Sequence, residues 1–179
     1  MTPRFTHTLL AAFALGAASL LTSLHATPPC HAKAPPLTLA GTIYGNFDAE
    51  NPGGPAWVGH LLVTIGDEPA RVATIVDRNT GMVPNANGTI TGSETISVTF
   101  TDGSGSFDIV GEFVVTPAAV PALAYLNETG KIANGTGAYA HASGWVFVHG
   151  PFVLPFTPPV QGTPQWIAEL HGEICLKKR

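Results

Sequence analysis

Glu112 lies in the run SFDIVGEFVVT, residues 106–116, among phenylalanines and valines, with Asp108 four positions before it. A carboxyl group surrounded by apolar side chains resists ionisation because its charge would be desolvated, and this suits it to take and return a proton near neutral pH. The alternation of the run leaves a second reading open. Phe107, Ile109 and Phe113 fall on one face, while Asp108 and Glu112 share the other with Val110 and Val114, a face that water could wet. Tyr125 and three histidines, His60, His149 and His171, also sit in strand-like runs. If these strands curl around a common interior, Glu112 is the candidate catalytic acid or base, and Asp108, Tyr125, His60 and His149 are candidate ligand-binding groups. Glu169 and His171 alternate with Trp166, Ala168 and Leu170, which assigns them to a wet outer face. Neither a His-x-His pair nor a cysteine at zinc-finger spacing occurs, and nothing in the sequence brings the three histidines together, so no metal and no other cofactor is expected. A serine nucleophile lacks its G-x-S-x-G elbow.

The elements that must carry these groups are short, β-rich runs separated by Gly, Pro, Asn and Asp. Eight are expected, at 38–47, 56–66, 70–77, 88–101, 106–116, 122–133, 143–149 and 165–174. Strands without an intervening helical stripe favour a sandwich or a barrel. Ile96, Val98 and Phe100 alternate with Thr95, Ser97 and Thr99 as in a strand with one packed face, whereas other runs are apolar on both sides. A barrel with apolar packing outside and a mixed, partly polar lumen would give that texture. The segment HGPFVLPFTPPVQGTPQ, 149–165, contains five prolines and is not expected to be a central strand. It reads as a rigid connection, or as a lid that lays Phe152, Val153, Leu154 and Phe156 over a barrel mouth.

Residues 1–26 have the pattern of a secretory signal, with Arg4, an apolar run from Leu9 to Leu21, and Leu24-His25-Ala26 at the cleavage site. Residues 27–37 form a proline-rich arm, and 38–176 form one β domain, secreted or periplasmic. The mature chain carries 7 basic and 12 acidic residues, a net charge of −5, and its only basic cluster is the terminal Lys177-Lys178-Arg179. That balance argues against a nucleic-acid partner, and no membrane span remains after signal removal. Cys30 and Cys175, near the two ends of the mature chain, read as one disulfide in an exported protein, with two free thiols as the alternative.

Residues 130–144, GKIANGTGAYAHASG, resemble the segment that dirigent proteins and the allene oxide cyclase barrel superfamily write as G-x-I-x-G-G-T-G-x-[FY]-x-G-A-x-G. Asn134 and His141 stand where that pattern has glycine. The resemblance implies an all-β fold, a single eight-stranded antiparallel barrel. In it Asn134, Gly135, Gly137, Tyr139 and Gly144 form a structural turn, with Tyr139 anchored in the core. It further implies an interior that binds or steers a small, largely apolar molecule, or alternatively a cofactor-free isomerase or cyclase. A non-catalytic extracellular structural role is the third reading. The turn lies outside the family's reactive sites, so it transfers no catalytic residue to this chain.

Overall fold

The computed structural model of the chain describes residues 35–120, 122–154 and 164–177. The expected signal 1–26, the arm as far as residue 34 with Cys30, and residues 155–163 with Phe156 lie outside them. Nine strands form: β1 Leu37–Asp48, β2 Ala56–Ile65, β3 Arg71–Asn79, β4 Val83–Pro84, β5 Ile90–Phe100, β6 Ser106–Pro117, β7 Leu123–Ala133, β8 Ser143–Val153 and β9 Trp166–Cys175. All but the two-residue β4 fall on runs expected from the sequence. Each pairing is antiparallel and joins chain neighbours, apart from two seams. β1 pairs with β9, and β3 pairs with β5, so the sheet closes into an eight-stranded barrel with β4 appended to the start of β5. The up-and-down path puts the β1–β2, β3–β5, β6–β7 and β8–β9 connections at one end and the β2–β3, β5–β6 and β7–β8 connections at the other.

Alternate residues of every barrel strand point inward, because side chains change face at each step along a strand. Leu39, Ile43, Leu61, Ile75, Ile96, Ile109, Val148 and Leu170 are among those that fill the interior. The expected texture is reversed in its apolar part: most apolar side chains face in and the outer wall is mixed, while Asp77, Glu94 and Glu128 keep the lumen partly polar. On β6 Phe107, Ile109 and Phe113 are buried, whereas Val110 and Val114 are exposed outside with Glu112.

The proline-rich segment departs from expectation in its first part. β8 continues through Gly150, Pro151 and Phe152 to Val153, pairing with β7 all the way. The cost of proline's missing N–H falls on the other side, where the β8–β9 ladder skips from His149↔Glu169 to Phe152↔Trp166. Phe152 is consequently a core residue, packed edge-on to Trp57 at 5.6 Å between ring centres.

The glycine-rich turn joins β7 to β8 and plugs one end of the barrel. Tyr139 is buried, stacked on Phe100 at 4.6 Å and edge-on to Phe107 at 5.5 Å. Arg71 from the start of β3 lays its guanidinium 4.4 Å over the Phe100 ring, donates to the Tyr139 hydroxyl and the Ser104 hydroxyl, and pairs with Asp102 at 2.7 Å. The turn is stitched to the β5–β6 hairpin by the Ala138 N–H on the Ser104 carbonyl, 2.7 Å, and the Thr136 N–H on the Ser106 carbonyl, 2.8 Å. This close docking explains Gly137, whose φ is +59° and where an added Cβ would come 2.3 Å from the Ser104 carbonyl oxygen. Asn134 and His141, which stand where the resembling pattern has glycine, have φ of 51° and 67°, in the left-handed region that glycine favours.

Gly137→Val is expected to lower unfolding stability by more than about 2 kcal/mol, since both the φ and the space exclude it. His141→Gly should act in the opposite direction, raising stability by up to about 1 kcal/mol as left-handed strain is relieved against a more flexible unfolded chain. Denaturant titration of the two variants checks both signs.

Candidate functional site

Three inward positions carry acids instead of hydrocarbon. Asp77 continues the inward series Ala73 and Ile75 on β3, Glu94 precedes Ile96 and Val98 on β5, and Glu128 follows Ala124 and Leu126 on β7. They are 3%, 2% and 0% exposed. Closure of the barrel and a pair of glycines bring them together. Glu94 sits opposite Gly111 on β6, which sits opposite Gly130 on β7, so no inward side chain on that row separates Glu94 from Glu128, the next inward residue of β7. Asp77 enters across the β3–β5 seam, where its opposite residue is Ile96.

Aromatic rings border the acids. Trp57, opposite Asp77 on the neighbouring strand, meets Phe47 at 5.5 Å, Phe152 at 5.6 Å and Trp166 at 6.2 Å, all edge-on or steeply inclined. Gln165 fastens the strands at this end. Its side-chain oxygen accepts the Phe47 N–H at 3.1 Å, its own N–H donates to Asn46 at 3.1 Å, and its carbonyl accepts the Val153 N–H at 2.7 Å.

Asp77 Oδ1, Glu94 Oε1, both carboxyl oxygens of Glu128 and the indole N–H of Trp166 are buried and meet no hydrogen-bond partner among the described residues. No ion pair to any of the three acids forms among the described residues either. Arg71 is engaged at the opposite end, and Arg78 reaches to the side chain of Asn51 at 2.8 Å and the Pro52 carbonyl at 2.9 Å. Desolvation therefore dominates and raises all three carboxyls. Asp77 is pushed well above the usual range by burial first and then by the charge of Glu94. Burial likewise raises Glu94, with the charge and the close approach of the Glu128 carboxyl adding to the shift; it raises Glu128, with Asp77 adding to the shift and the approach of the Glu94 carboxyl partly offsetting it. Glu94 and Glu128 titrate together, so a proton on one governs the other. At neutral pH such a cluster presents protonated carboxyls, which donate hydrogen bonds and can deliver a proton.

The residues singled out from the sequence fall elsewhere. Glu112 is exposed on the outer face of β6, so its assignment to the lumen is corrected in favour of the wet face. Asp108 lies on the same outer face and accepts from the Asn134 side chain at 2.9 Å. Tyr125 is half exposed on the outside of β7, and His60 is exposed on the outside of β2. His149 also faces outward, where it meets Glu169 and His171. The three lumen acids were missed although their signal was present, since each continues a period-2 apolar series in phase.

Comparison with protein-family models, with curated proteins and with solved structures finds no match to this chain.

The buried acids set the sign of the pH dependence. A carboxyl with a raised folded-state pKa holds its proton in the native barrel after the unfolded chain has released it. Its stabilising contribution is complete below the unfolded value, about pH 4, and declines at up to about 1.4 kcal/mol per pH unit per group as pH rises toward the folded value. Asp102, held down to about 2 chiefly by the Ser104 N–H and then by the Ser104 hydroxyl and Arg71, contributes oppositely and loses its effect only under strong acid. The melting temperature is thus expected to be highest near pH 4–5 and to fall toward pH 8. A Glu94→Gln/Glu128→Gln double variant should flatten that decline, as measured by thermal unfolding across the range.

Proposed function

We propose that this protein is an exported barrel that binds or steers a small, largely apolar molecule, anchored by the protonated carboxyls of Asp77, Glu94 and Glu128. The supporting observation is the set of buried polar atoms on these acids and Trp166 that meet no partner among the described residues, set in a largely hydrocarbon interior. Buried polar groups in native proteins are nearly always paired, and leaving each unpaired costs about 1–3 kcal/mol. A ligand with a carbonyl, hydroxyl or ether oxygen would accept from the neutral carboxyls, and its hydrocarbon would lie against Trp57, Trp166 and Phe152. The resemblance of the glycine-rich turn to the dirigent and allene oxide cyclase barrels supports the same reading, as does the eight-stranded antiparallel architecture.

The coupled Glu94–Glu128 pair favours a second reading, a cofactor-free isomerase or cyclase. In that case the protonated member donates to a developing oxyanion or leaving oxygen, and its partner accepts a proton from carbon.

Native mass spectrometry of gently purified protein is expected to show an adduct of small-molecule mass that Glu94→Gln and Glu128→Gln weaken at least tenfold. An adduct that the two variants convert more slowly but bind equally well would select the catalytic reading. If neither an adduct nor a thermal shift with apolar oxygenated compounds is seen, both readings fail and the structural role stands.

A further inference from the structure

On the outer wall, the β8–β9 seam assembles a second constellation that owes nothing to the lumen. His149 on β8 sits directly opposite Glu169 on β9, and His171 lies two residues further along β9 on the same face. The Glu169 Oε2 atom is 3.7 Å from His149 Nε2 and 3.3 Å from His171 Nε2, and one ligand atom from each of the three residues lies within 4.8 Å of the others. Four-coordinate zinc with bonds of about 2.0–2.1 Å to nitrogen and oxygen separates its ligand atoms by about 3.3–3.4 Å. The two carboxylate–imidazole distances already approach that value, so modest side-chain rotation would complete the third.

The scaffold limits the motion available to these ligands. Both strands lie within the closed sheet. The Phe147 ring stacks on His149 at 5.1 Å, and the His149 and His171 rings stack at 5.8 Å with 22° between planes. We propose that His149, Glu169 and His171 bind a late first-row divalent metal ion through two imidazole nitrogens and one carboxylate oxygen. Two imidazoles select zinc, copper or nickel over magnesium or calcium, which prefer sets made entirely of oxygen. Three protein ligands leave at least one coordination position open. A shallow groove of about 330 Å³ over β1, β2 and β9, lined by Thr42, Leu62, Thr64, Ala70, Glu169 and His171, adjoins the cluster. A water molecule or a small donor ligand held in the groove would occupy the open position.

The alternative is a plain surface cluster in which Glu169 accepts from two imidazoles, an arrangement of little energetic consequence when exposed. Isothermal titration of the full chain, free of any affinity tag, with Zn²⁺ separates the two. One ion per chain is expected to bind, with His149→Ala and His171→Ala each weakening the affinity at least tenfold and His60→Ala changing it less than threefold. Circular dichroism of each variant should match the parent, because all three ligands are on the outer wall. No binding at 100 micromolar Zn²⁺ would overturn the proposal, as would binding that changes less than tenfold in either the His149 or the His171 variant.

Discussion

An eight-stranded barrel encloses a space just wide enough for side chains to fill or for one small ligand to enter, and most features of this molecule follow from that limit. Where one strand sends a large group inward, a neighbour must send a small one. Gly111 and Gly130 lie on the row that begins with Glu94, and a Cβ on Gly130 would come 2.5 Å from the inward Ile109 side chain. Aromatic rings close the two ends. Tyr139, Phe100 and Phe107 occupy one end, and Trp57, Trp166 and Phe152 occupy the other.

The two ends handle polarity differently. At the plugged end the charges are matched. Arg71 lies over the Phe100 ring and bridges Asp102, Ser104 and Tyr139, so this cation meets an acid and two hydroxyls. Toward the other end three carboxyls are desolvated with no cation among the described residues to meet them, and they avoid a far larger penalty by keeping their protons. Hydrocarbon of similar volume at Asp77, Glu94 and Glu128 would serve stability better. Residues that break a packing rule without a structural benefit are where a ligand or a reaction is most reasonably sought.

The outer wall obeys the same pleat from the opposite side. The residues that alternate with Trp166, Ala168 and Leu170 on β9 are Ile167, Glu169 and His171, and the β8 register sets His149 beside them. Inside and outside are thus two readings of one ladder. The inner face of this seam contributes core, while the outer face contributes a histidine and carboxylate cluster on a rigid support.

Strand positions were legible in the sequence because alternation and turn residues are local signals, and all eight barrel strands form within a few residues of the expected runs. The turn at 134–144 was equally legible, since left-handed backbone and close approach leave few residue choices at Gly137. Even the lumen acids were implicit: Glu94 is in phase with Ile96, Val98 and Phe100. Alternation, however, says which residues share a face and not which face turns inward, and this is why Glu112 could be assigned to the wrong side. Proximity was beyond its reach altogether. Glu94 meets Glu128 across an intervening strand, Asp77 joins them only through the β3–β5 seam, and His149 reaches His171 only through the β8–β9 register. The sequence by itself determined the strands, their phase and the turn, because those depend on neighbouring residues. The tertiary structure alone decided which acids and histidines stand together, because that depends on how distant strands pair when the sheet closes.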